Sequence, residues 1–241
     1  MNNRVNIHFQ DTASVGIQPT WYRDVSPAQW NDLSTLPILK EYTFLSDAAR
    51  VYMAWQVHST RVIVIEKHDD TRQMSDIPQA DALITNQPCV ALAVLTADCL
   101  PIMYYDPVHQ AIAAIHAGWR GSIAKIAQIT FEHMHRHYGT QASDLQVFLG
   151  PCAQVCCYQV DEQFIENLAV DPYRDKVCIK KNGVWFFNNL LYNYLCLKDL
   201  GVPDHSILQS FSQCTIHNHN YWSYRRQKNN ALRNFNSIML I

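Results

Sequence analysis

Apolar positions dominate two short runs near the middle of the chain, Val90–Leu95 and Ala111–Ile115. Runs of this length bounded by turn residues predict buried strands. A reactive side chain follows each: Asp98 and Cys99 come just past the first, His116 just past the second. Gly118-Trp119-Arg120-Gly121 reads as a turn. From Ser122 to Tyr138, Ile123, Ile126, Ala127, Ile129, Thr130 and Met134 recur with helical spacing, Ser122 serving as cap and Gly139 as stop.

Upstream, Val51–His58, Arg61–Glu66 and Ala80–Thr85 read as strands, and the charged stretch 67–79 as a solvated loop. Downstream, Leu145–Leu149 predicts a strand, Asp161–Ala169 a helix, 171–183 a loop or hairpin, and Asn188–Leu200 a helix closed by Gly201. Ile207–Phe211 and Ser237–Ile241 are further strands. Up to Phe44 the pattern is weak and punctuated by Pro19, Pro27 and Pro37. A short helix opened by Ser26-Pro27 and a helical turn over Ser46–Ala49 are expected there. No internal repeat stands out. The alternation predicts one α/β domain over residues 1–241, with a mixed β-sheet flanked by helices.

A chain of 241 residues is within single-domain range and long enough to bury a sizeable core. A net charge of -2 without a basic run argues against a nucleic-acid partner. No run of about 18 apolar residues suggests a membrane span, and Met1–His8 lacks an apolar signal core. The expectation is a cytoplasmic protein. Its eight cysteines are then reduced thiols, most of them small buried hydrophobes, and the adjacent Cys156 and Cys157 are too constrained to bridge each other.

His58, Cys99 and His116 form the sharpest candidate constellation. Two imidazoles and one thiolate make a catalytic-type zinc set that leaves a fourth position for water or substrate. A buried thiol beside a core histidine is the bland alternative. Cys99 and His116 also read as a metal-free nucleophile and base, oriented by Asp98 or Asp81. A third donor at His58 favours the metal, because a dyad does not need it. Arg120, in its glycine-flanked turn, suits a phosphate or carboxylate as well as a surface ion pair. Arg225 and Arg226 either extend that basic potential or form a solvated pair. His133 and His137 share a helical face, where last-turn histidines also suit the helix dipole. They and the His217-Asn218-His219 loop are weaker metal candidates.

Several motifs occur in order: Gln56-Val-His58, Asp81-Ala-Leu-Ile-Thr85, Thr96-Ala-Asp-Cys-Leu-Pro101, His116-Ala-Gly-Trp-Arg-Gly121, Gly150-Pro151, Cys156-Cys-Tyr-Gln-Val160 and Ser223-Tyr-Arg-Arg226. Together they resemble the YfiH (DUF152) family, also called the laccase-domain or polyphenol oxidase family. The resemblance spans residues 50–241, while residues 1–49 match poorly. It implies a YfiH-like α/β domain similar to a toxin with a Cys-His deamidase site. It also implies a zinc site on His58, Cys99 and His116, which would be the catalytic residues.

Family members are described as phosphorolysing adenosine, inosine and methylthioadenosine and as deaminating adenosine. The implied function is a zinc-dependent purine nucleoside phosphorylase with adenosine deaminase activity, with a purine nucleoside and phosphate as partners and Arg120 on the phosphate. Two alternatives accompany the resemblance: a Cys-His amidase editing peptidoglycan precursors, and a copper-dependent polyphenol oxidase. Three positions depart from the family pattern. Residues 10–20 replace a glycine-rich segment with an arginine, Gln159 stands where glutamate is usual, and Leu232-Arg233 stands where Gly-Arg is usual.

Overall fold

The structure is a computed structural model that describes residues 5–10, 48, 50–66 and 78–241. The expected helix at Ser26-Pro27 lies outside the described residues, as do the loop over 67–77 and nearly all of the turn over 46–49.

Thirteen strands are described, in three sheets. β1 (Val5–Phe9), β2 (Arg50–Tyr52), β3 (Val62–Ile65), β4 (Ala82–Thr85), β5 (Val90–Thr96), β6 (Leu100–Asp106), β7 (Ala111–Ala117) and β8 (Gln146–Leu149) come first. β9 (Gln159–Val160), β10 (Cys178–Lys181), β11 (Val184–Phe187), β12 (Ile207–Leu208) and β13 (Asn234–Leu240) follow. The largest sheet is mixed and runs β12-β8-β6-β7-β4-β3; a four-stranded mixed sheet runs β1-β13-β5-β2. β10, β11 and β9 form a small antiparallel sheet.

The period of two along the strands decides what each face of the large sheet meets. Ala82, Ile84, Leu100, Ile102, Tyr104, Ala113 and Ile115 share a core with Ile126, Ala127 and Met134 of helix α2 (Ile126–Tyr138) and Leu197 of α5 (Asn189–Asp199). The alternate residues Leu83, Met103, Tyr105, Ile112 and Ala114 pack instead on Val90, Leu92 and Val94 of β5 and Ile238 and Leu240 of β13. The result is three layers, sheet on sheet on helices. The mixed sheet expected from the sequence is present, with helices on one face and a second sheet on the other.

Three departures have local causes. β6 is a strand that the sequence reading did not include: Pro101 sits at its second position, where it offers no N–H to a ladder, and its carbonyl accepts from the Gly150 N–H at 3.0 Å. The helix expected over 122–138 is two helices: α1 (Trp119–Ile123) and α2, separated by Lys125 in the left-handed region at φ 66°. Ser122 is buried within α1 rather than capping. Gly139 does stop α2, at φ 80° with its N–H on the His135 carbonyl. Helix α3 (Glu162–Glu166) starts where expected, Asp161 accepting from the Phe164 N–H at 2.8 Å. Residues 171–183 hold a short helix, α4 (Arg174–Val177), and the β10 arm of a hairpin. All eight cysteines are free thiols, but only Cys152, Cys178 and Cys196 are buried. Among the described residues, no helix is long and apolar enough to cross a membrane.

Candidate functional site

The site is assembled around Asp81, whose side chain is buried. Its carboxylate accepts the N–H groups of Val57, His58 and Ser59 at 3.2, 3.0 and 2.6 Å and the Ser59 hydroxyl at 2.7 Å. The strand expected over 51–58 ends at Tyr52, beyond which Trp55 makes only an isolated bridge to Gln79. Three successive N–H groups have turned onto one carboxylate and are unavailable to a ladder. The chain wraps Asp81 with His58 at φ 60°, which leaves the imidazole exposed. Gln56 ties this loop to β5 by a two-way bond, its amide nitrogen donating to the Leu95 carbonyl at 2.7 Å and its oxygen accepting from the Leu95 N–H at 2.8 Å.

His116 lies inside β7 rather than past its end, paired in register with Pro101. Its Nδ1 is 2.8 Å from Asp81 Oδ1. Because an ionised carboxylate only accepts, Nδ1 carries a proton, so Nε2 is the nitrogen that would bind a metal once any proton on it is displaced. Cys99 sits in the turn between β5 and β6, its Sγ 3.6 Å from His58 Nε2. Donor atoms of His58, Cys99 and His116 all lie within 4.8 Å of one another. Zinc bonds of about 2.3 Å to sulfur and 2.0 Å to nitrogen put tetrahedral S and N ligands about 3.5 Å apart, so the residues fit the ion. Gly118 closes the site: a Cβ there would fall 2.5 Å from His58 Cδ2 and 3.2 Å from Cys99 Sγ.

The electrostatics suit a thiolate. Burial on its own pushes the Cys99 thiol up, but the His116 and His58 imidazoles beside it hold it down to about 6. Burial likewise opposes charge on His116, and the Cys99 thiolate and Asp81 overcome it, raising the imidazole to about 9. Burial of Asp81 is outweighed by hydrogen bonds from His116 and Ser59, so its carboxyl lies below the ordinary value.

A family model described as multi-copper polyphenol oxidoreductase laccase matches residues 38–241. The chain belongs to this laccase-domain family. Purine nucleoside phosphorylase from Bacteroides thetaiotaomicron is 30% identical over 192 residues, covering 77% of this chain and 71% of that protein. Adenosine deaminase RL5, from an unknown prokaryotic organism, is 29% identical over 199 residues, covering 80% and 76%. The crystal structure of Bacillus licheniformis hypothetical protein YfiH superposes with a TM-score of 0.72 at 28% identity, covering 82% of this chain and 75% of that one.

In this laccase-domain chain, Arg120 lies exposed in α1, its guanidinium 4.2 Å from the Trp119 ring centroid. It lines an open cleft of about 770 Å³ together with Trp119, Tyr158, Phe164 and Arg225. Arg225 stacks over Tyr158 at 5.5 Å and donates to the Gln159 carbonyl at 3.0 Å. Arg226 has turned away: its guanidinium holds the carbonyls of Thr215, Ile216 and Tyr221. Of the two candidate orienting carboxylates, Asp81 holds His116, while Asp98 accepts the Thr215 hydroxyl at 2.7 Å and the Arg225 N–H at 2.6 Å.

His133 and His137 stack at 6.0 Å, as the helical spacing implies, but join no group of three metal donors among the described residues, and neither does His217 or His219. Sequence reasoning gave no role to Gln56, Thr215 or Arg233. Arg233 is held against the Ala231 and Leu232 carbonyls, where burial pushes its guanidinium below the ordinary value. Its position in the motif was the available signal.

Proposed function

We propose that this chain is a zinc-dependent purine nucleoside phosphorylase that also deaminates adenosine, with His58, Cys99 and His116 as the metal ligands and catalytic centre. The observation that carries the reading is the His–Cys–His donor set, its His116 tautomer fixed by Asp81, together with a two-arginine cleft whose Trp119 and Arg120 follow His116 within the same motif. Its volume falls within the range of small-molecule sites, about 300–1,000 Å³. The names of the relatives support the substrate class. We further take residues 1–241 as one unit working in the cytoplasm on small molecules.

When bound, zinc supplies Lewis acidity and brings the pKa of a coordinated water to about 7. The chain's own residues do the rest. Asp81 keeps the proton of His116 on Nδ1 and holds His58 through its backbone. Arg120 and Arg225 supply positive charge for a phosphate dianion, and Trp119, Tyr158 and Phe164 offer aromatic surface to a purine. Phosphorolysis joins a phosphate oxygen to the ribose anomeric carbon as the bond to the base breaks. Deamination adds water at the purine C6 and releases ammonia.

One observation favours a second reading. A thiolate beside an imidazolium that a carboxylate orients is also the arrangement of a cysteine hydrolase, which would act on an amide such as a peptidoglycan precursor. The test is metal content of the purified protein and of Cys99→Ala, with adenosine turnover measured with and without phosphate. Loss of one equivalent of zinc in the variant, with wild-type adenine release only in the presence of phosphate and inosine in either case, supports the proposal. Turnover that survives metal removal overturns it in favour of the hydrolase. Copper in place of zinc, with oxygen consumed on phenols, overturns it in favour of the oxidase.

A further inference from the structure

Apart from the His–Cys–His centre, the described residues hold one other group of at least three close metal-type donors: the Sγ atoms of Cys156, Cys157 and Cys214, all within 4.8 Å of one another. The mechanism above uses none of them. They are not core filling, because Cys156 is exposed and the other two are half-buried.

Two stitched segments build the cluster. Cys152 and Cys214 bridge in parallel, with the Cys152 N–H on the Gln213 carbonyl and the Thr215 N–H on the Cys152 carbonyl, both at 3.0 Å. Cys156 and Cys157 ride on a turn in which the Gln154 carbonyl accepts the N–H groups of Cys157 at 2.9 Å and Tyr158 at 2.8 Å. The facing loop closes with the Asn218 N–H on the Cys214 carbonyl at 2.8 Å, and Arg226 clamps two of its carbonyls.

We propose that Cys156, Cys157 and Cys214 form a second metal site, for one soft d¹⁰ cation of the zinc or copper(I) class, with a coordination position open to solvent. Thiolate ligands select such ions, and each S–H proton displaced goes to solvent. Three sulfurs suit an ion better than a disulfide, which leaves one over. A trans peptide also fixes the Cα atoms of Cys156 and Cys157 about 3.8 Å apart, below the usual disulfide span of about 4.4–6.8 Å.

The test is titration of the reduced, metal-stripped full chain with Cd²⁺, read by thiolate-to-cadmium charge-transfer absorbance. Wild type is expected to take two equivalents, one with about three times the absorbance of the other because three thiolates rather than one bind it. Cys156→Ser/Cys214→Ser should lose only the stronger step and Cys99→Ala only the weaker. Cys157→Ser, checked for folding by circular dichroism, should cut the stronger step by about a third. Absence of the stronger, three-thiolate step in wild type overturns the site, whether or not the weaker step is present. So does a Cys156–Cys214 disulfide in place of cadmium uptake, seen as the loss of two hydrogens in intact mass. Because the step persists in Cys99→Ala, its failure is separable from failure of the nucleoside reading.

Discussion

Asp81 Oδ1 accepts the Nδ1 proton of His116 at 2.8 Å and the backbone N–H of His58 at 3.0 Å. One buried carboxylate thus fixes two of the three donors of the His–Cys–His set, one by its ring and one by its main chain. Asp81→Asn can accept only through one oxygen and places an amide NH₂ among donors. Its affinity for zinc is expected to fall about 10–100-fold, the usual cost of losing an outer partner. A competitive chelator titration measures it; an unchanged constant would remove Asp81 from the site.

Gly118→Ala is expected to fold normally and to lose function. The added Cβ meets His58 Cδ2 at 2.5 Å and Cys99 Sγ at 3.2 Å, so the imidazole has to move. A displacement of about 1 Å at a reacting centre costs about 100-fold in turnover. Wild-type turnover with an unshifted melting temperature would show that His58 tolerates displacement.

In the metal-free protein, Cys99 is expected to alkylate with half-maximal rate near pH 6, since its thiol is held down to about 6 by the two imidazoles. The sign follows from the thiolate being the nucleophile: lowering the value extends reactivity to acid. Site-resolved mass spectrometry after iodoacetamide at a series of pH values separates Cys99 from the exposed Cys89 and Cys156. A midpoint above pH 8 at Cys99 would mean that the imidazoles do not stabilise it, and zinc should protect the residue throughout.

Arg120→Ala should raise the Michaelis constant for phosphate about ten-fold or more, the scale of one charge-assisted hydrogen bond, with a smaller effect on that for nucleoside. Initial rates over a matrix of both substrates check this. Equal effects on the two would instead assign Arg120 to shaping the cleft wall against Trp119.

Much of the scaffold was legible in the sequence because burial wrote it there. β5 and β7 are apolar throughout apart from Thr96 and His116, and Gly139 and Asp161 punctuate their helices as their chemistry dictates. β6, with Pro101 at its second position, was not read, and the two-layer pairing of sheets was hidden because both faces of a buried strand look alike. The end of Val51–His58 looked like strand because nothing local reveals that Asp81, more than twenty positions on, takes the N–H groups of Val57 and His58. The His58, Cys99 and His116 set was readable as residue types and motif order. The Cys156, Cys157 and Cys214 group was not, since a turn and a distant loop are brought together by a backbone pairing of residues 152 and 214 that nothing in the local sequence announces.

The turn that carries Cys99 joins β5 of the four-stranded sheet to β6 of the six-stranded one. His116 belongs to the larger sheet, and His58 is tethered by Gln56 to the smaller. An ion gripping all three therefore acts as a rivet through the sandwich: it cannot leave by the loosening of one loop unless the layers also shear. Its escape into an excess of chelator should then keep the same clock as global unfolding, with matching dependence on denaturant, making metal loss a gauge of how often the two sheets come apart.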